Sequence, residues 1–440
     1  PKGLEECLVN AIEVSPHEPG TAYIATTRYK FNDKTPGLYK TTNYGKTWKN
    51  ISEGIPYGAY TRVVREDKDR KGLLYAGTEL GIYISWNDGK SWEPFKLNMP
   101  VTPINDLMVD LIVATSGRSF WILDDLKLLN QYKEAGKAKV YTPENLVYGS
   151  WGSPLNGNGS NGTSTFAGVN PANGVVLYYE LTEAPKEAIY LEVFDNAGKL
   201  ITRISSEADK DYKGYAGGPP RSQRLPKKKG LNRFVWDTRH PVMPGIPTAY
   251  IEASFRGHKV SPGTYTLKLT VGDQQMETQA TILDNPNFEM EVGQYATYDA
   301  FMTEMEAELT NMHNMVNQLY GMQKQLKSIV ADLNDETLKS EGQAIIDALD
   351  AWDKEMVQRK SKAYDDVENF PNKFTAEYMF LINQTESSIP RINQPSRDRR
   401  KELETYWLIY KAKAQNFLED DIPAFNKKLW DAGIGAVKAK

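Results

Sequence analysis

The sequence has a single cysteine, Cys7, which excludes both an internal disulfide framework and a cysteine-rich zinc site. Because cysteine is often buried, Cys7 is expected to be a small core residue. No apolar run approaches the roughly 20 residues that a membrane helix needs. Charge of one sign is missing too: 53 Lys and Arg against 57 Asp and Glu leave −4 over 440 residues, too near neutral for a nucleic-acid surface. The short basic runs Lys227–Lys229 and Arg397–Lys401 therefore read as solvated surface. Histidine is scattered: His17, His240, His258 and His313 make no HExxH or HxH pair, so spacing gives zinc no support. No Ser/His/Asp constellation or dinucleotide fingerprint appears, and the Gly-rich stretch 157–162 lacks the Lys-Ser/Thr ending of a phosphate loop. No cofactor and no metal are expected.

What remains is ordinary globular chemistry, 40% hydrophobic and 25% charged, in a chain long enough for two or three cores. It starts at Pro1 without an initiator Met or signal peptide, so a removed leader or missing upstream sequence is expected.

An internal repeat organises the first part. Thr41-Thr42-Asn43-Tyr44-Gly45-Lys46-Thr47-Trp48 matches Ser85-Trp86-Asn87-Asp88-Gly89-Lys90-Ser91-Trp92, with the glycines 44 residues apart. That spacing suits one four-stranded propeller blade of roughly 40–50 residues. Similar strand pairs precede each copy, Tyr23–Thr26 with Gly37–Lys40 and Tyr75–Thr78 with Gly81–Ile84. Val113–Leu123 keeps the strands but lacks the turn motif. In the motif, Gly45 and Gly89 supply φ > 0 at a tight hairpin. Asn43 and Asn87 accept from backbone amides across it, Thr41 and Ser85 add weaker bonds, and Trp48 and Trp92 close it by packing between sheets.

These residues resemble the Asp-box, S/T-x-D-x-G-x-T/S-W, of sialidases, sortilin-type receptors and related propellers. Both copies carry Asn where that family has Asp, and Asn keeps the acceptor and the tolerance of left-handed backbone. The resemblance implies a structural role for the motif and is nearly silent about activity. Propellers close with about 4–8 blades, whereas residues 1–132 hold the last three at most. A three-blade arc leaves sheet faces and a strand edge open. The chain is therefore expected to be part of a longer polypeptide, with the missing blades, or another chain, as its first partner. Between Met108-Val109 and Asp110-Leu111 the turn joining two strands of the third blade is absent, and residues are expected to be missing there.

Residues 133–165 read as a linker, around Asn156–Thr163. Residues 166–286 hold six alternating segments: Val175–Leu181, Ile189–Phe194, Leu200–Ile204, Leu231–Trp236, Thr264–Val271 and Met276–Leu283, with a hairpin turn at Asp195–Lys199. Six such strands fit a small β-sandwich. Gly230–Asp237 and Pro262–Leu269 resemble the FlgD-like immunoglobulin-type module of bacterial secreted proteins. Modules of that kind are spacers or docking units. The inserts 207–229 and 239–261 are expected to loop out as mobile segments and not to form a site. Residues 287–440 change to helical period. Met302, Met305, Leu309, Met312, Val316, Leu319, Leu326 and Val330 recur at 3–4 spacing, with Gln323 the one polar seam position. A second helix places Ile345, Leu349, Trp352 and Met356 inward. Further helices span Thr375–Thr385 and Asp398–Leu418, the latter with Leu403, Tyr406, Tyr410 and Phe417 on one side. An antiparallel helical bundle results, its methionines filling core space.

The order of blades, sandwich and helices resembles sortilin-like, BNR-repeat "glycosyl hydrolase" proteins of Bacteroidota type, most closely at 20–128, 230–285 and 369–430. The resemblance implies export to the periplasm or outer-membrane surface of a Gram-negative cell. Chemistry is harder to assign. Arg28, Arg62, Arg65 and Arg118 exist, but no spacing gathers them into a sialidase-like pocket. Asp124 and Asp125 are adjacent, point to opposite faces of a strand, and read as the end of a blade. The expected function is a non-catalytic scaffold holding a protein or glycan partner. The alternative is a glycoside hydrolase whose carboxylates lie on upstream blades.

Overall fold

The computed structural model describes residues 2–108, 111–123, 125–132, 138–149, 172–247, 249–287 and 289–438. The expected break at Val109/Asp110, the linker core 156–163 and Asp124 lie outside the described residues. The chain is a mixed β plus α protein in two compact units. Residues 1–135 with 141–143 form one, and residues 136–140 with 144–440 the other.

The first unit is a stack of three antiparallel sheets. β1 (Leu8–Val14), β2 (Ala22–Arg28), β3 (Asp33–Thr41) and β4 (Lys49–Asn50) form a four-stranded meander. β5 (Thr61–Glu66), β6 (Leu74–Thr78), β7 (Gly81–Ser85) and β8 (Glu93–Pro94) repeat it. β9 (Ile104–Met108), β10 (Ile112–Thr115) and β11 (Phe120–Ile122) make a three-stranded version, followed by the short helix α1 (Leu126–Gln131). Side-chain alternation sets the stacking. Tyr23, Ala25 and Leu38 of the first sheet share a core with Val64, Leu74 and Ala76 of the second. Val63 and Tyr75, on the opposite face of the second sheet, share another with Ile104, Leu107 and Val113 of the third. The middle sheet is thus covered on both sides, which is why β6 and β7 are continuous buried runs, not alternating ones. Each fully buried Leu, Ile or Tyr there contributes about 1.5–3 kcal/mol. Cys7, expected in the core, is half-buried and free at the start of β1. β1 is an outer strand with most of its residues exposed, so its flank has no core to enter.

In the second unit, β12 (Lys139–Val140), β14 (Val175–Leu181) and β17 (Gly230–Trp236) form one sheet in the order β12-β14-β17. β13 (Leu146–Val147), β15 (Tyr190–Phe194), β16 (Leu200–Ser205), β18 (Gly263–Val271) and β19 (Gln274–Leu283) form the other, ordered β13-β19-β18-β15-β16. Leu177, Tyr179 and Trp236 from the first meet Leu191, Leu267 and Ile282 from the second in one core. The β15–β16 hairpin turns where Asp195 accepts from the amides of Ala197 (2.9 Å) and Lys199 (2.8 Å).

The helices follow: α2 (Gln294–Ala331), α3 (Glu336–Met356), α4 (Phe374–Ser387), α5 (Gln394–Asn416) and, after a π-helical turn at Phe417–Asp421, α6 (Ile422–Asp431). Asp335 caps α3, accepting from Thr337 and Leu338 at 2.8 and 3.0 Å, and Asn393 caps α5 through the Ser396 amide at 2.8 Å. Met302, Met305, Leu309, Met312, Val316, Leu319, Leu326 and Val330 are all buried, as is Gln323, which donates to the Ile346 carbonyl at 3.3 Å.

Three expectations need correction. On α3 the inward isoleucine is Ile346, and Ile345 is only half-buried. On α5 Tyr406 is exposed and Trp407 is buried in its place. Both are one-residue phase errors, which the 3.6-residue repeat makes easy over a long face. The inserts 207–229 and 239–261 do not loop out. Leu225 joins the core between the two sheets, and Met243, Ile246, Ile251 and Phe255 join the helical core, because their apolar area is covered by α2 and its neighbours.

Candidate functional site

The two repeated turns have matching geometry. Thr41 Oγ1 donates to Asn43 Oδ1 (3.1 Å) and accepts from the Gly45 amide (3.0 Å). Asn43 Oδ1 accepts from the Thr47 amide (3.0 Å), and Asn43 Nδ2 donates to Thr47 Oγ1 (2.9 Å). Ser85, Asn87, Gly89 and Ser91 repeat these four bonds at 3.0, 2.9, 3.0 and 2.8 Å. Both polar side-chain atoms of each asparagine bond inside the turn, which ties these residues to its geometry. Backbone φ is 78° at Gly45 and 77° at Gly89, preceded by 57° at Tyr44 and 62° at Asp88. The sequence reading missed that two successive left-handed residues are needed. At Gly89 space is a second constraint, because a Cβ would lie 2.6 Å from Ile51 Cδ1.

The tryptophans part ways. Trp92 is buried between the first and second sheets and donates Nε1–H to the Ile51 carbonyl at 2.6 Å. Trp48 is half-buried and belongs to neither core between the sheets. Its backbone amide is held by Lys2 O at 3.0 Å, as that of Trp92 is held by Glu53 O at 2.9 Å. Four arginines of this unit, Arg28, Arg62, Arg65 and Arg118, serve different partners. Arg28 pairs with Glu5 and Asp33, Arg62 with Glu79 and Arg65 with Glu13 and Asp106, while the Arg118 carbonyl accepts from Trp121 Nε1.

Site-like chemistry lies in the second unit, on the inserts. β17 ends at Trp236 and leads into Arg239 and His240, and the same insert returns through Gly257 and His258 to β18. His258 is fully buried. Its Nδ1 donates to Glu306 Oε2 at 2.9 Å and its Nε2 to Asp299 Oδ1 at 3.0 Å, while its amide donates to Glu306 Oε1 at 2.7 Å. Asp299 and Glu306 are seven residues apart on α2, so both project from one face. A ring that donates from both nitrogens is an imidazolium. Burial works against that charge, yet the hydrogen bonds and charges of Asp299 and Glu306 prevail and hold the His258 pKa up at about 9. His240 and then His258 hold the Asp299 carboxyl well below the usual range. His240 Nε2 stands 3.7 Å from Asp299 Oδ1, too far for a hydrogen bond, so His258 supplies the direct contact. Arg239 Nη1 links the insert to α4 by donating to Gly257 O and Glu386 Oε1, both at 2.7 Å. The two other histidines play separate parts. His17 Nε2 donates to the Asp67 carbonyl at 2.7 Å, and His313 Nδ1 donates to Pro244 O at 2.6 Å. Burial pushes His313 down to about 4 against that hydrogen bond, so it is a neutral core residue.

His240, His258 and Asp299 offer three ligand atoms within 4.8 Å of one another. The sequence reading missed this grouping because the histidines lie 18 positions apart in an insert and the carboxylate comes from a helix. As placed, the group fits a proton better than a metal. The two imidazoles stack with centroids 4.1 Å apart and planes 14° from parallel. A metal must lie close to the plane of each imidazole it binds, and two stacked planes do not converge on one point. His258 Nε2 also already donates to Asp299.

Beside this cluster, residues of β16, the 207–224 insert and the end of β17 line a cleft of about 510 Å³. Arg203, Arg221, Arg224, Arg239 and His240 contribute to its wall.

No family model matches the chain, and no curated protein matches it. Solved structures match at low similarity. "YCF48 bound to D1 peptide" has 15% identity and TM-score 0.21, over 26% of this chain and 37% of that one. A GH74 enzyme of Niastella koreensis has 12% and 0.22, over 62% and 46%. The GH74 xyloglucanase of Xanthomonas campestris has 13% and 0.21, over 62% and 47%. The chain thus spans less than half the length of each, and likeness at this level carries no argument about activity.

Proposed function

We propose that this chain is the terminal part of a sortilin-like Asp-box β-propeller protein of the cell envelope, a non-catalytic scaffold that holds a protein or glycan partner. In this reading residues 1–132 are the last blades, 166–286 an FlgD-like immunoglobulin-type sandwich and 287–440 a helical bundle. One observation carries it: the sheet stack of the first unit is unfinished at both ends. The register pairs Val9, Ile12 and Val14 with Thr26, Ile24 and Ala22, on the face away from the second sheet, and these three are 42%, 66% and 70% exposed. At the other end Met108, Phe120 and Ile122 share the outer face of the third sheet at 64%, 73% and 64% exposed. Sheet two covers sheet one on one side and sheet three on the other, so the natural cover for both outer faces is more sheets of the same build. Trp48 supports the same reading, since no carbonyl among the described residues does for it what Ile51 does for Trp92.

Ile12→Lys and Phe120→Lys test the arc. The chain as it stands should self-associate with rising concentration and bind a hydrophobic dye, and each lysine should reduce both. A monomeric, dye-silent chain would refute the unfinished stack. Scaffold against hydrolase is decided on the longer protein with a glycan panel. Retention without turnover is expected, and sustained hydrolysis abolished by replacing one carboxylate would overturn the scaffold.

A further inference from the structure

The cleft beside His240 lies wholly within the second unit and is independent of the propeller reading. We propose that it binds a carboxylate-bearing saccharide. Arg221 and Arg224 line it and neither forms a direct ion pair among the described residues, though Arg224, after Lys227, helps hold the nearby Glu207 carboxyl below its usual range. Arg224 spends Nε and Nη2 on the Ser206 carbonyl, at 3.3 and 3.1 Å, which fixes its guanidinium while leaving Nη1 available. Arg221 lies 5.4 Å over the Tyr212 ring, and its N–H groups make no hydrogen bond among the described residues. Two guanidiniums lining one cleft offer N–H donors suited to an oxyanion. The other two arginines are already committed, Arg239 to Glu386 and Arg203 to Glu192 and the Tyr190 ring.

The rest of the wall narrows the ligand. Glu207 is held by Lys227 at 2.6 Å, and Asp209 Oδ1 accepts from the Asp211 amide at 2.9 Å, leaving carboxylate oxygens as acceptors. Acidic groups beside the arginines disfavour a phosphate, which carries about −1.5 to −2, more than a single carboxylate. They favour a ligand that also donates hydroxyls. Trp236 and His240 also line the cleft, His240 with its Nε2 3.7 Å from Asp299 Oδ1. Tyr212 lines the cleft with Arg221 over its ring, and the volume of about 510 Å³ falls within the roughly 300–1,000 Å³ of ordinary ligand sites. A monoanion with several hydroxyls and an apolar ring face is a uronic-acid sugar.

Calorimetric titration of the whole chain with tri-galacturonate, cellotriose and inorganic phosphate tests this. Saturable binding of tri-galacturonate is expected, weakened about tenfold or more by Arg221→Gln, with cellotriose and phosphate both weaker. Arg221 is exposed, so its substitution leaves the fold intact. Lys210→Gln removes a nearby charge outside the cleft and should change the affinity by less than about twofold. The proposal falls if tri-galacturonate does not bind, if cellotriose or phosphate binds as tightly, or if the Lys210 variant weakens binding as much as the Arg221 variant.

Discussion

Raising the pH through about 9 should destabilise the helical unit, and Glu306→Gln should remove much of that dependence. His258 is the cause. Its ordinary value of 6.5 rises to about 9 in the fold. A raised histidine gives stability that is fully present below the unfolded value and lost as pH climbs through the folded one, because the native state binds the extra proton between them. A rise of roughly 2.5 units at about 1.36 kcal/mol each is worth about 3 kcal/mol, lost between about pH 6.5 and about 9. The groups facing the ring are Glu306, Asp299, the stacked His240 and the Tyr298 ring edge-on at 6.0 Å. Replacing Glu306 with Gln leaves one acceptor for the two His258 donors that Glu306 now serves, a cost independent of pH, and deletes one of two anions, so the pH-dependent part should fall by roughly half. Urea unfolding of both proteins, followed by helical circular dichroism, measures it, since all the long helices lie in this unit. Titrations shared by the two proteins cancel in the difference. Their stabilities should differ most near neutral pH, and the difference should shrink toward about pH 10 to the constant cost of the lost buried bond. Parallel curves, or a neutral His258 imidazole by nitrogen NMR near neutral pH, would refute the imidazolium.

Two substitutions check the turns and the helix register. Asn87→Ala deletes three bonds of the second turn and should cost about 2–3 kcal/mol in the unfolding transition reported by Trp92. Asn87→Asp should stay within about 1 kcal/mol, because the carboxylate accepts from the same Ser91 amide and takes the Ser91 hydroxyl as donor in place of the lost N–H. A costly aspartate would mean that the amide donor is essential here. Ile346→Ala should cost about 2–5 kcal/mol by urea unfolding, and Ile345→Ala about 1 kcal/mol or less. Equal costs would put Ile345 back in the core.

Legibility followed locality. A strand with one face in a core prints its alternation on the sequence, so Val175–Leu181 is found at the predicted residues and its five successors within two residues at either end. The turn repeat was readable for a related reason: its bonds join residues two to four apart, and the asparagine, glycine and hydroxyl types are dictated by those bonds. Long helices kept their period but lost phase, which moved the buried positions from Ile345 to Ile346 and from Tyr406 to Trp407.

The inserts fail on the same physics. Met243, Ile246, Ile251 and Phe255 follow neither a period of 2 nor one of 3.6, because an irregular segment buries whichever residue its neighbour happens to cover. Glycines, prolines and lysines around them then read as solvent. Buried irregular backbone needs polar partners, however, and in a single chain those partners are far away. Arg239 reaches Glu386 across 147 residues, and His258 reaches Asp299 and Glu306 across 41 and 48. A charged side chain next to apolar insert residues is therefore a sign that the insert is docked, since otherwise nothing would hold its apolar residues out of water. The pair Asp299 and Glu306, two turns apart on the inward side of α2, is the complementary sign on the helix. Neither pattern identifies the other without coordinates. Docking is also what gives the cleft its second wall, since Gln223 Nε2 bonds the Val235 carbonyl at 2.9 Å and holds the arginine segment against β17. The arginines can form a site only because the segment carrying them is fixed.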